Sequence, residues 1–256
     1  MSRHPPPATG HLSLATPDPR PVTESRVIAI DGPSASGKSS TAAAVAQALG
    51  VPHLDSGALY RGLALVALES AVATRTTAAA VPHTEILAAA ERRRLELLLD
   101  QASFGVWLDG VDAEPRIRTP EVTGAVSPVS AIPALRDWVN VRLQEAALGA
   151  GSVVVDGRDI GTVVFPDAGL KVFLTASPQT RARRRSAQWG RPMDEVALAR
   201  EAAALEARDL ADSTRAVAPL RQAADALPLD TTGLDFEQQV AWIVARARER
   251  GFAQTP

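Results

Sequence analysis

Eight consecutive residues carry the first chemical signal: Gly32-Pro33-Ser34-Ala35-Ser36-Gly37-Lys38-Ser39. Glycine at both ends of a short loop lets backbone N–H groups turn inward around phosphate oxygens. A helix beginning at the loop's end adds its favourable dipole. Lys38 then neutralises β- and γ-phosphate oxygens, and the Ser39 hydroxyl is placed to ligate Mg2+. Ser40 follows at the helix start. The ligand this loop implies is a nucleoside polyphosphate such as ATP, with Mg2+. Lysine occurs at only two positions, Lys38 and Lys171, beside many arginines. Lysine therefore persists at the point in the loop where a compact charge suits the phosphates. Asp31, just before the loop, has two readings: it organises the metal's water shell, or it is a turn carboxylate.

The loop needs a strand before it and a helix after it. Residues 27–30, Val-Ile-Ala-Ile, are a short apolar run that suits a buried strand. Residues 37–49 are alanine-rich and helix-favouring, and Gly50 ends them. Further strands are predicted at 53–55, 153–155, 170–174 and 226–229. Helices are predicted at 57–70, 135–147, 178–188, 194–212 and 236–248. Residues 94–99 and 105–108 suit a small hairpin. Three prolines between 111 and 130 leave that stretch without an assignment. Glu91-Arg92-Arg93-Arg94 reads as an exposed helix end. Strands alternating with helices predict an α/β fold: a parallel sheet with helices on both faces.

Composition bounds the rest. The chain has 256 residues, a net charge of −2 and no cysteine. It is long enough for one large domain with inserted lobes. Near-neutral charge gives no global pull toward nucleic acid or membrane, and neither is expected as a partner. Absent cysteines exclude a disulfide scaffold and thiolate metal sites, and fit a cytoplasmic protein. His53 and His83 have no partner at metal-ligand spacing. Residues 1–24, polar and proline-rich, are expected to be a disordered extension, with the working domain over 25–256.

Arginines stand at strand ends and helix starts, where a second anionic substrate would need them. A guanine-reading Asn-Lys-x-Asp motif is absent, since the only asparagine is Asn140. Several ordered blocks then carry a resemblance: Asp55-Ser56-Gly57-Ala58-Leu59-Tyr60-Arg61, Ile117-Arg118-Thr119, the run Asp156-Gly157-Arg158-Asp159-Ile160-Gly161-Thr162, Arg208-Asp209, and Arg215 with the residues after it. With the loop, they resemble bacterial cytidylate kinases over about residues 26–250.

The resemblance implies a nucleoside monophosphate kinase fold of the phosphate-loop class. It also implies a monophosphate-binding lobe at about 74–150 and a mobile lid at about 181–195. The implied reaction moves the γ-phosphoryl group of ATP to CMP or dCMP, in pyrimidine nucleotide metabolism. On matching positions, Arg61, Arg158 and Arg215 hold the acceptor phosphate and the transferring group. Arg118 and Asp159 read cytosine, and Arg208 and Asp212 approach the sugar. Ser56 and Tyr60 lie beside Arg61. Arg181, Arg184 and Arg185 share one helix face and lead into Trp189-Gly190-Arg191-Pro192 as a lid over ATP phosphates. Arg183 points elsewhere, to solvent. A monomer is expected. Two other readings stay open at this level: a shikimate-type small-molecule kinase, and a nucleotide-binding regulator or nucleic-acid-binding ATPase.

Overall fold

The structure is a computed structural model and describes residues 25–74, 76–188, 190 and 192–252. The expected extension at 1–24, and Trp189 and Arg191 of the expected lid, lie outside the described residues. Strand β1 (Ser25–Asp31) runs into the loop, and helix α1 (Lys38–Leu49) leaves it. Gly50 closes α1 in a left-handed conformation, as a C-terminal glycine does. Next come β2 (His53–Asp55) and α2 (Ser56–Thr74), then a 3₁₀ turn at Ala78–Ala80 and α3 (His83–Arg92). A hairpin of β3 (Glu96–Asp100) and β4 (Ser103–Leu108) follows, with a two-residue β5 (Val111–Asp112).

Helices α4 (Glu114–Ile117), α5 (Pro120–Ser130) and α6 (Pro133–Ala150) lead to β6 (Val153–Gly157), a π-helical turn (Ile160–Val164) and β7 (Ala168–Thr175). Helices α7 (Pro178–Gln188) and α8 (Glu195–Thr214), strand β8 (Leu227–Asp230) and helix α9 (Phe236–Glu249) complete the order.

The sheet order is β3-β4-β2-β6-β1-β7-β8, with β5 also on β4. From β4 to β8 all neighbours are parallel; β3 and β5 pair antiparallel with β4. The loop strand β1 is central, paired to β6 on one side and β7 on the other. Its alternation divides the protein into layers. Val27 and Ala29 join a core with α2, α3, α5 and α6, whereas Ile28 and Ile30 join one with α1 and α9. Strands buried on both faces read as continuous apolar runs, which is why β1 and β6 stood out in the sequence.

Residues 78–150 share the first core with the central strands rather than forming one of their own. Helices α7 and α8 differ: Ala182, Ala202 and Leu205 form a separate small cluster, with Ala35 of the loop packed against it.

The unassigned stretch, residues 111–130, is partly helical. Pro115 and Pro120 occupy the first turns of α4 and α5, where no N–H is needed. Thr119 caps α5 by accepting from the Val122 N–H, and Pro128 falls in its last turn. The Glu91 to Arg94 segment is also more engaged than an exposed helix end. Arg93 pairs with Glu69 and Asp109, and Glu91 accepts from Trp138 and Arg142.

Gly32 fixes how the loop leaves the sheet. A Cβ there would sit 2.1 Å from the Leu174 carbonyl oxygen on β7. The obstacle is backbone of a paired strand, which cannot swing aside. Gly32→Ala is expected to cost about 3 kcal/mol in urea unfolding, near the upper end for single changes. An unchanged unfolding midpoint would mean that the loop shifts freely.

Candidate active site

The loop bends twice through positive φ, at Ala35 (56°) and Gly37 (94°), before α1 begins. Lys38, the first residue of α1, is buried with 7% exposure, and its Nζ donates to the Pro33 carbonyl at 3.2 Å. Burial pushes its ammonium down to about 7, and the Arg158 charge adds to this, against the opposing pull of Asp156 and Asp55. An unfolded lysine stays protonated to about 10.5. Between those values the unfolded chain holds a proton the native state lacks, so this group's contribution to stability rises with pH from about 7 to 10.5. Polyphosphate brought against Nζ restores the ammonium. ATP binding at pH 8 is therefore expected to take up close to one proton at Lys38, and at pH 6 almost none. Calorimetry in buffers of different ionisation enthalpy checks this; equal uptake at both values would refute it.

Beyond Lys38, Ser39 Oγ donates to Asp156 Oδ2 at 2.5 Å. Asp156 sits on β6 beside β1 and β2, in register with Ile30 and Asp55. Its other oxygen meets His53 Nε2 at 2.8 Å, and its carbonyl accepts from Ser56 Oγ at 2.7 Å. Burial alone would raise Asp156, but His53, Lys38 and Ser39 hold it below the ordinary carboxylate range. His53 is displaced upward: burial opposes its charge, yet Asp156 and Asp55 outweigh burial. Ser39 and Asp156 thus offer hard oxygen donors next to the loop. Mg2+ characteristically takes one or two such groups, with phosphate oxygens and waters completing its shell. No set of three or more His, Cys, Asp or Glu side chains forms a self-sufficient metal cage among the described residues. The donors present suit an ion that arrives with a nucleotide.

Asp31 is a carboxylate that holds a turn. It is buried and accepts the N–H groups of Ile160 and Gly161, each at 2.8 Å. It therefore fastens the turn after β6 to the strand before the loop. Burial raises its carboxyl to about 6 despite those two bonds.

The expected arginines come to this region from five segments. Arg61, on α2, donates to Thr123 Oγ1 at 2.8 Å. Arg118 bridges Asp55 at 3.0 Å and Glu114 at 2.9 Å. Arg158 contacts Asp212 at 3.1 Å and Ser34 Oγ at 2.9 Å. Arg181 is buried, donates to the Ser34 carbonyl at 3.0 Å and pairs with Asp209, whose other oxygen accepts from the Ser34 N–H at 2.8 Å. Arg185 pairs with Glu201 at 3.3 Å, and Arg183 is exposed. Arg208 keeps a buried Nε without a partner among the described residues. Arg215 donates to the Ala218 carbonyl at 2.5 Å and reaches Asp159 at 3.5 Å and Asp212 at 3.9 Å.

Their charges act on one another. Burial lowers Arg61, and Arg118, Arg158 and Arg185 lower it further; Arg208 is lowered by burial and then by Arg158, Arg61 and Arg185, with Asp212 opposing. Cations that depress one another share one space, and an anion there relieves all of them at once. Ser36 and Tyr60 are buried, and their hydroxyls have no partner among the described residues. Ser40 is turned outward and donates to the Gly37 carbonyl at 2.9 Å.

A cleft of about 370 Å³ opens beside these groups, lined among others by Ser39, His53, Asp55, Trp107 and Arg118.

The family model for cytidylate kinase matches residues 28–249, from β1 through α9. This chain belongs to the cytidylate kinase family. Among similar proteins, the cytidylate kinase of Desulfitobacterium hafniense is 46% identical, covering 85% of this chain and 90% of the relative. That of Mycobacterium leprae is 43% identical, covering 89% and 97%, and that of Thermus thermophilus is 44% identical, covering 87% and 98%. The family match contains all the site residues named above and leaves out residues 1–27.

Four contributors were given no role by the sequence. Arg136, on α6, is buried against Asp159. Its signal was available, since it falls on the helix face of Val139 and Leu143, where a charge needs a buried partner. Thr123 gave no local signal, and Asp209, although part of a block that carries the resemblance, was given no role, because their partners lie 62 and 175 residues away. His53, set aside as a metal ligand, serves Asp156 instead. Arg184 is tied down, donating to the Ser36 carbonyl at 2.9 Å and the Thr231 carbonyl at 2.8 Å.

Proposed function

We propose that this protein transfers the γ-phosphoryl group of ATP to CMP or dCMP, yielding ADP and the corresponding diphosphate. One observation carries the reading. A loop suited to polyphosphate adjoins a second cluster of largely half-buried guanidinium groups, so two anions can be held side by side. The attacking atom is an anionic phosphate oxygen, which needs no strong general base. Catalysis then rests on alignment and on stabilising charge on the transferred group.

Residues 32–40 hold the ATP phosphates, with Lys38 at the β- and γ-oxygens. Arg158, Arg181, Arg185 and Arg215 face the transferring group, and Arg61, Arg158 and Arg215 hold the acceptor's phosphate with Ser56 and Tyr60 alongside. Arg118 and Asp159 read the base: a carboxylate accepts from the cytosine amino group and disfavours uracil, which offers an acceptor there. Arg208 and Asp212 meet the sugar. Ser39, directly, and Asp156 would hold Mg2+, which when bound neutralises charge on the β- and γ-phosphates. The segments at about 74–150 and 181–195 serve as acceptor lobe and lid. The separate packing of α7 and α8 supports a lid able to close and exclude water, the competing acceptor.

All of these groups come from one chain, which supports a working monomer. Soluble anionic substrates and the absence of cysteine support a cytoplasmic setting. No described helix is long and apolar enough to cross a membrane. ADP formation from ATP with Mg2+ tests the reading, with CMP, dCMP, UMP, AMP, GMP and shikimate offered separately. Turnover confined largely to CMP and dCMP is expected. Turnover with shikimate or purine monophosphates alone would overthrow the acceptor assignment.

A further inference from the structure

Arg136 is one of the most deeply buried large side chains in the protein, with 2% exposure. Its Nη2 pairs with Asp159 Oδ2, and its Nη1 donates to the Ser130 carbonyl at 3.0 Å. Its guanidinium carbon lies 5.3 Å from the centre of the Tyr60 ring, within the range of a cation–π contact. Arg136 thus touches two residues of the proposed acceptor site, yet its own burial keeps it from meeting a substrate.

The two oxygens of Asp159 are held differently. Oδ2 is locked by Arg136, whereas among the described residues Oδ1 meets Arg215 alone, at 3.5 Å. Arg215 is also shared among the Ala218 carbonyl, Asp212 and, on the proposed reading, a phosphate. Once Arg215 turns to phosphate, Arg136 is the cation left to balance Asp159. A buried carboxylate stripped of its partner reorients or neutralises, and in either case stops acting as a directed acceptor. The charged and titratable groups facing Asp159 are Arg136 from α6, Arg215 after α8, Asp31 from β1 and Tyr60 from α2.

We infer that Arg136 is a positioning residue for base specificity: it locks one oxygen of Asp159 so that the other is presented, as a pure acceptor, to the cytosine amino group. This rests on the base-reading role proposed for Asp159.

The experiment measures kcat/KM for CMP and for UMP, and KM for ATP, in Arg136→Met, Arg136→Lys, Asp159→Asn and the Arg136→Met/Asp159→Asn double variant. Arg136→Met is expected to lower the CMP:UMP ratio about tenfold or more while KM for ATP stays within about twofold. Arg136→Lys, which keeps the charge, recovers most of that ratio. In the Asp159→Asn background, Arg136→Met moves the ratio no further. Where Arg136→Met does not fold, Arg136→Gln, which keeps hydrogen-bonding capacity without charge, is read in the same way. A folded variant lacking the charge but retaining the native ratio, while Asp159→Asn collapses it, overturns the inference and leaves the base-reading role standing. A native ratio in Asp159→Asn itself overturns both.

Discussion

Lys38→Ala is expected to lower kcat about 10²–10³-fold, the loss typical of removing one group aimed at developing charge. The same change is expected to leave the fold intact. Lys38 makes one modest bond, to the Pro33 carbonyl, and burial already works against its charge. A side chain whose burial disfavours its own ionised form contributes little to holding the protein together. Activity and stability should therefore separate, with turnover collapsing while the urea midpoint stays level or rises. Turnover close to that of the unaltered protein, in a folded Lys38→Ala variant, would remove the lysine from the mechanism. A collapse of the fold would instead make Lys38 a structural residue.

Asp159→Ala should do the opposite and couple the two. Asp159 is buried and balances Arg136, which has no other anion recorded against it among the described residues. Removing one member of such a pair leaves an uncompensated buried charge, at a cost of about 3–5 kcal/mol. Urea unfolding should register that loss directly. Under conditions where the variant remains folded, apparent affinity for CMP should fall far more than that for ATP. The phosphate loop keeps its own supports, the bonds from Arg181 to Ser34 and from Arg184 to Ser36. Equal losses for CMP and ATP would count against base reading. A stability change below about 1 kcal/mol would mean that Arg136 finds water or another partner.

Much of this protein could be read along the chain because the signals are local. Residues 32–39 declare a phosphate loop, since glycine positions, lysine and hydroxyl lie within a few residues of one another. The apolar runs at β1, β6 and β7 announce strands buried on both faces. Pro178 opens α7 and Gly50 closes α1, because terminal backbone groups impose chemistry on their immediate neighbours. Residues 111–130 were illegible for a related reason. Proline is a helix breaker in the interior and acceptable in a first turn, and sequence does not say which position it will occupy until the turn is placed.

The sequence by itself determined the kind of loop and the alternation of strand and helix, which follow from residue type and short spacing; the arginines proposed to face the acceptor followed from the family resemblance. Tertiary structure alone decided what each charged group rests against. Asp31 became a clasp for the turn after β6, His53 a support for Asp156, and Arg136 the fixed partner of Asp159. The physical reason is that a buried charge must find its partner in space, and the sheet brings together groups that lie 103 and 129 residues apart in the chain.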